Sequence, residues 1–197
     1  MWFLFSKFKE RKWRKYSPEK RFMILQALEK KVAYNLEIEP LKLDIKYDDN
    51  WNCFGAFTVI NGEKKIVINV NLIDVPEYRF HAMETIAHET RHAYQYSVVS
   101  RDLKWYEWTA KKWKRNWEGY FSSSTDSIMY NNQSVERDAQ KYSIKFLKRH
   151  KYRDEDYKQT LDAVLYRYNQ ADLDAKKEYG FFYKHKIEKN IKNNSKY

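Results

Sequence analysis

The sequence predicts an α+β fold, with a small, partly antiparallel sheet in the N-terminal half, one long helix after it and a helical C-terminal half. Two β-rich runs, Phe54 to Ile60 and Lys65 to Val70, flank the dipeptide Asn61-Gly62. Asn-Gly favours a tight hairpin because both central residues of a type I′ turn need positive φ. Apolar residues recur at helical spacing up to Val99 and again from Ser134 to His150, which indicates helices that bury one face.

The chain is predicted to begin with a basic and aromatic leader over residues 1–17. An amphipathic helix should follow over residues 19–35, because Phe22, Leu25, Leu28 and Val32 recur at helical spacing there. Residues 41–47 alternate apolar and polar side chains with a period of two. That pattern predicts a half-buried strand.

The long helix is predicted to begin near Asp74. Asp74 would cap it, Pro76 would occupy its first turn, and Glu77 would return the capping hydrogen bond. The helix should run to about Val99, because neither Gly nor Pro occurs between Pro76 and that residue.

Further helices are predicted over residues 102–118, 134–150 and 154–189. Residues 122–127 are predicted to form a loop, and residues 188–197 a frayed tail rich in Lys and Asn. A length of 197 residues suits one domain that spans the whole chain.

The composition narrows the classes of function. One cysteine, Cys53, rules out an internal disulfide and a cysteine-based metal cluster, and it fits a reducing, cytoplasmic setting. No stretch approaches the roughly 20 apolar residues that span a bilayer, so we expect a soluble protein. The net charge of +11 is spread along the chain, which favours a solvated surface over nucleic acid as the main partner.

Phe5, Phe8 and Trp13 of the leader lie among basic residues, and two interpretations stand. We favour a leader that covers a hydrophobic face of its own domain. The alternative is contact between the leader and an anionic membrane surface.

The stretch His88-Glu89-Thr90-Arg91-His92 predicts a zinc site on the long helix. Residues four apart project from one helix face within about 6 Å of each other, so both imidazoles can reach one ion. Glu89 can then take the proton of a water molecule that the ion polarises. The competing interpretation is an accidental match on an ordinary helix.

Zinc needs a third protein ligand. The long metzincin spacing would put a glycine and a histidine where this sequence has Gln95 and Val98, so that arrangement is excluded. Among the downstream carboxylates we favour Glu136, because it opens a new helix and Ala139, one turn on, would let this helix approach the first one closely. The alternative is a first-turn glutamate that the helix dipole alone favours.

Together, His88-Glu89-x-x-His92 and the later Glu136-x-x-Ala139 resemble the zincin metallopeptidases that use a glutamate as third ligand, the gluzincin-like branch. The resemblance spans roughly residues 54–146. Within that branch, the chain resembles the small ImmA/IrrE-type peptidases associated with phages and mobile elements. The resemblance implies a zincin-like fold, one Zn²⁺ ion, a protein or peptide substrate, and peptide-bond hydrolysis with Glu89 as general base.

The same resemblance implies further features of the site. The strand over residues 65–70 would line the cleft and pair with an extended substrate peptide. A tyrosine or a histidine would stabilise the oxyanion, and Tyr130 and Tyr142 are candidates for this role. Four positions after the ligand glutamate, where thermolysin-like members commonly have an aspartate, this sequence has Gln140, whose neutral amide can still accept a hydrogen bond.

Two other classes of function stay open at this point. One is a zincin-fold protein that binds zinc or a partner without turnover, as a regulator. The other is a basic nucleic-acid-binding protein whose motif is accidental; it would bind DNA or RNA in a salt-sensitive way that survives chelation.

Overall fold

The computed structural model describes residues 2–48, 50–51, 53–100, 107–150 and 152–194. Three strands form one sheet: β1 (Lys42–Lys46), β2 (Gly55–Ile60) and β3 (Glu63–Asn69). The α-helices in the described residues are α1 (Trp2–Phe5), α2 (Glu10–Trp13), α3 (Pro18–Asn35), α4 (Asn71–Asp74), α5 (Arg79–Val99), α6 (Glu107–Glu118), α7 (Ser127–Asn132), α8 (Ser134–His150), α9 (Glu155–Tyr179) and α10 (Tyr183–Asn194). The α+β fold class is therefore confirmed.

Internal contacts group the chain into two compact units. The first comprises Met1–Tyr94 and Tyr142–Asp162, and the second comprises Gln95–Lys141 and Ala163–Tyr197. Helices α5, α8 and α9 each contribute residues to both units. That the whole chain behaves as one domain stays a prediction.

The leader packs into the first unit. Phe8 and Trp13 are fully buried and stack on each other with ring centroids 4.9 Å apart. Their burial agrees with a leader that covers its own domain, as we favoured. Helix α3 follows, and Ser17 caps it by accepting a hydrogen bond from Lys20 N at 3.3 Å.

The predicted hairpin is confirmed. Strands β2 and β3 pair antiparallel with Ile60 opposite Glu63, and the two residues between them, Asn61 and Gly62, have φ of 51° and 82°. Strand β1 pairs in parallel with β3, so the sheet order is β1-β3-β2. Because β3 is central, both of its edges are already paired. The expectation that residues 65–70 pair with a substrate peptide is therefore wrong.

Helix α5 begins later than predicted. Asp74 ends the short helix α4, and Pro76–Tyr78 form one 3₁₀ turn before α5 starts at Arg79. Val75 is extended, with φ −91° and ψ 106°, because a residue that precedes proline is disfavoured in the α region. Asp74 and Glu77 therefore do not cap α5, which ends at Val99 as expected.

The second unit has a core of its own, formed by Met129, Ala175, Tyr183, Ile187 and Ile191. Helix α10 continues to Asn194, where we predicted a frayed tail from residue 188. Ile187 and Ile191 lie one turn apart and are both buried in that core, which orders the helix. Residues 195–197 lie outside the described chain.

Two other helices differ in detail from the prediction. Helix α6 begins at Glu107, and residues 101–106 lie outside the described chain, Trp105 among them. Helix α7 was not predicted; Asp126 caps it by accepting from Ile128 N and Met129 N. Within the described residues, no helix is long and apolar enough to cross a membrane.

Candidate metal centre

His88 and His92 project from one face of α5, as their spacing predicts. Their Nε2 atoms lie 3.0 Å apart, and their ring planes meet at 80°. His92 is buried and His88 is half-buried. Both histidines thus direct the same ring nitrogen toward a common point.

Glu89 is held by the main chain of β2. Its Oε2 accepts a hydrogen bond from Phe57 N at 2.7 Å. Asn69 N donates to Phe54 O. The main-chain N–H and C=O groups of the even-numbered residues of β2 therefore point toward β3, and those of Phe57 point toward the outer edge of the sheet. The edge of the sheet therefore orients the carboxylate that the motif designates as general base.

Gly55 lets β2 cross α5 at short distance. A Cβ atom there would lie 2.5 Å from Cγ2 of Thr85 and 3.2 Å from the carbonyl oxygen of Val67. Thr85 precedes Glu89 by one helical turn. Only a residue without a side chain allows this approach, and the approach brings Phe57 N within reach of Glu89.

Glu136 is fully buried in the first turn of α8. Its Oε1 accepts a hydrogen bond from the Tyr120 hydroxyl at 2.6 Å. The short distance is typical of an O–H group that donates to a carboxylate. Tyr120 thereby fixes the orientation of the carboxylate, a role that the sequence did not reveal.

The start of α8 is fixed by a side chain from α6. Asn116 Oδ1 accepts from Ser134 N at 2.6 Å, from the Ser134 hydroxyl at 2.9 Å and from Val135 N at 3.4 Å. These main-chain donors have no partner within their own helix, so Asn116 caps α8 just before Glu136.

A second amide ties the Tyr120 segment to the same helix start. Gln133 Oε1 accepts from Phe121 N at 3.0 Å, and its Nε2 donates to Phe121 O at 2.8 Å. Phe121 follows Tyr120 directly, so these hydrogen bonds of Gln133 also fix the main chain at Tyr120, whose side chain contacts Glu136.

Gln95 links the motif helix to α8. It follows His92 by three residues, and its Nε2 donates to Val135 O at 2.9 Å and to Asp138 Oδ2 at 2.8 Å. Gln95 is fully buried. The sequence predicted no role for Gln95 in the site, whereas its amide donates to residues that precede and follow Glu136 in α8.

The structure brings the three predicted ligands together. His88, His92 and Glu136 each offer one ligand atom, and these atoms lie within 4.8 Å of one another. Two imidazoles and a carboxylate are a donor set that zinc accepts.

The remaining candidates occupy other positions. Tyr130 meets Tyr120 edge to face, with centroids 6.1 Å apart, and Tyr142 packs 5.3 Å from the Arg91 guanidinium. Burial raises the pKa of Tyr142. Gln140 donates to Asn131 Oδ1 at 3.4 Å. The choice of an oxyanion-stabilising tyrosine stays a prediction.

Comparisons with family models, curated proteins and solved structures found no significant match. The interpretation of the site therefore rests on its own residues.

Proposed function

We propose that this protein is a zinc-dependent peptidase in which His88, His92 and Glu136 bind one zinc ion and Glu89 is the general base. The observation that carries the proposal is the close grouping of these three donors. The resemblance to gluzincin-like peptidases is part of the same proposal.

The donor set fits a catalytic rather than a structural zinc site. The described residues offer three donors here, and catalytic zinc sites with three protein ligands stay open to water or substrate, whereas structural sites are closed by four protein ligands. Zinc bound there would supply Lewis acidity that polarises a water molecule and the scissile carbonyl.

Glu89 would move the proton. Phe57 N donates to Oε2 of the carboxylate, which limits the rotation of the Glu89 side chain. From this position Glu89 would accept a proton from the attacking water and return it to the leaving amine.

The outer edge of β2 suits an extended peptide. Val59 faces the same edge as Phe57, because alternate residues of a strand direct their main-chain groups to the same side. A peptide that added to the sheet at Val59 would run toward Phe57, whose main-chain N contacts Glu89. Strand addition gives affinity through main-chain hydrogen bonds and tolerates many side chains. We therefore propose β2, in place of residues 65–70, as the strand that pairs with a substrate peptide.

The test is hydrolysis of a mixed peptide library by wild-type protein and by Glu89→Gln, with cleavage products identified by mass spectrometry. The glutamine keeps an acceptor for Phe57 N, so the variant should fold and retain zinc. We expect its turnover to fall by at least about a hundredfold, the usual contribution of a general base.

Glu84→Gln is the matched control. Glu84 lies on the same helix, is also buried, and accepts a hydrogen bond from the Ser143 hydroxyl at 2.8 Å. Its replacement should leave turnover within a few fold of wild type. Equal turnover by wild type and Glu89→Gln would overturn the role of Glu89, and a wild-type protein that binds zinc but cleaves nothing would favour a non-catalytic regulator.

A further inference from the structure

The turn between α9 and α10 exposes two adjacent phenylalanines. Phe181 and Phe182 are 89% and 76% exposed, and their rings meet edge to face with centroids 5.5 Å apart. Most of a protein's large apolar side chains are buried, so two neighbouring rings left in water at one turn mark a contact surface. We call this pair the aromatic tip.

The main chain beneath the aromatic tip is well anchored. Gly180 has φ of 75°, a conformation that favours glycine, and its N donates to Lys176 O at 2.8 Å to close α9. Tyr183, which follows the tip, is buried in the core of the second unit, and its hydroxyl donates to Asp172 at 3.1 Å. The tip therefore projects from a fixed turn.

Lysines surround the aromatic tip in the chain. Lys176, Lys177, Lys184 and Lys186 lie within five residues of it and are all exposed, with Glu178 as the one acidic residue in that stretch. The ammonium groups of Lys186 and Lys184 lie 4.9 Å and 5.6 Å from the ring centroids of Tyr179 and Tyr183, the tyrosines that flank the turn.

We propose that the aromatic tip binds an anionic membrane surface. The two phenyl rings would enter the boundary between headgroups and acyl chains, as apolar residues of interfacial segments do. The neighbouring lysines would lie against the anionic headgroups, where each strengthens binding by about fivefold. Phenyl rings carry no polar group that would need a hydrogen-bond partner in this layer. A projecting turn can enter the layer without bringing the unpaired main-chain groups of a strand edge into it.

Single-stranded nucleic acid is the competing partner, because bases stack on aromatic rings beside lysines. The observations favour the membrane. Stacking needs ring faces that lie open to successive bases, whereas here one ring presents its edge to the face of the other.

The test is cosedimentation of the full chain with vesicles of phosphatidylcholine alone and with about 30% phosphatidylserine, at about 0.15 M salt. Wild type should bind the anionic vesicles. The double substitution Phe181→Ser and Phe182→Ser should weaken that binding by at least about tenfold, and Lys184→Gln with Lys186→Gln by about twentyfold or more. Tyr34→Ser, at a similarly exposed aromatic residue (75%) in the first unit, should bind like wild type.

Each outcome decides the proposal. Because a chain with a net charge of +11 attracts any anionic surface, binding that survives loss of both phenylalanines would overturn it. Absence of binding to anionic vesicles would overturn it too, as would phenylalanine-dependent binding to a single-stranded oligonucleotide in place of vesicles. Unchanged thermal unfolding of the variants ensures that a loss of binding reports on the surface.

Discussion

Removal of the Tyr120 hydroxyl is the sharpest test of how the site is built. The hydroxyl donates to Glu136 Oε1 at 2.6 Å inside the protein, and a hydrogen bond to a charged group contributes about 1.5–3 kcal/mol. If this bond fixes the carboxylate for zinc, its loss should weaken zinc binding by about 10-fold to 150-fold, since about 1.4 kcal/mol corresponds to a factor of ten. Hydrogen-bond partners that orient metal ligands typically contribute about 10-fold to 100-fold to metal affinity, and the two ranges agree.

The assay is a zinc titration of Tyr120→Phe in competition with a chromogenic chelator. Tyr166→Phe provides the matched control, because it makes the same chemical change in the same unit at a side chain that is 67% exposed. The control should bind zinc like wild type. A zinc affinity of Tyr120→Phe equal to that of wild type, with both proteins folded, would refute the reasoning that Tyr120 positions a ligand.

Three further predictions concern the framework of the site. Gly55→Ala should lower the free energy of unfolding by about 1–3 kcal/mol, measured by urea unfolding, and should reduce turnover, because the new methyl group meets Thr85 Cγ2 at 2.5 Å. Asn116→Ala should lower it by about 0.5–2 kcal/mol through loss of the α8 cap and should weaken zinc binding, whereas Asn116→Asp, which keeps an acceptor, should retain most of both. Glu29→Gln should change how the free energy of unfolding depends on pH. Burial raises the pKa of Glu29 from 4.5 to about 7, so the protonated carboxyl stabilises the fold below pH 4.5. This contribution, about 3 kcal/mol, is lost as the pH rises through 7.

The results that would contradict these predictions are equally specific. A Gly55→Ala protein with wild-type stability would show that β2 does not need its close approach to α5. Equal zinc affinity in the alanine and aspartate variants of Asn116 would show that the α8 cap does not contribute to zinc binding. Glu29→Gln keeps an acceptor for Leu41 N, which donates to Glu29 at 2.8 Å, so its stability relative to wild type should grow between pH 5 and pH 8; a constant difference would exclude Glu29 as the titrating group.

Local sequence patterns predicted the parts of the fold that depend on neighbouring residues. Asn61-Gly62 specified the hairpin because its backbone conformation is built into those two residues. The spacing of His88 and His92 specified a common helix face because the pitch of a helix is constant. Glu136 was predicted as a metal ligand from its place at the start of a helix, and one of its carboxylate oxygens lies within 4.8 Å of the ligand nitrogens of His88 and His92.

Features that depend on distant residues were not predicted. The start of α5 was placed at Asp74 because the capping pattern there is a good one, yet Pro76 forces Val75 into an extended conformation. The position of β3 between β1 and β2 depends on the pairing of β1 with a strand some twenty residues away, which no local pattern records. The expected pairing with a substrate peptide was therefore assigned to a strand whose two edges are both paired.

The residues that support the candidate ligands were the hardest to find from the sequence. Tyr120 is one of 17 tyrosines, and it becomes distinct only through its contact with Glu136. Phe57 acts through its main-chain N, so its side chain gives no indication of the role. Asn116 caps a helix that begins 18 residues later, and such caps from another element leave no spacing pattern in the sequence.

The central claim is that His88 and His92 bind zinc, and it is tested most directly by the zinc content of the purified protein. The Nε2 separation of 3.0 Å would also suit a direct hydrogen bond between two neutral imidazoles, so the metal itself must be measured. We predict about one zinc per chain in wild type and almost none in His88→Ala, determined by elemental mass spectrometry on folded protein. A wild-type protein without zinc, or one whose zinc content is unchanged in His88→Ala, would contradict the proposed site.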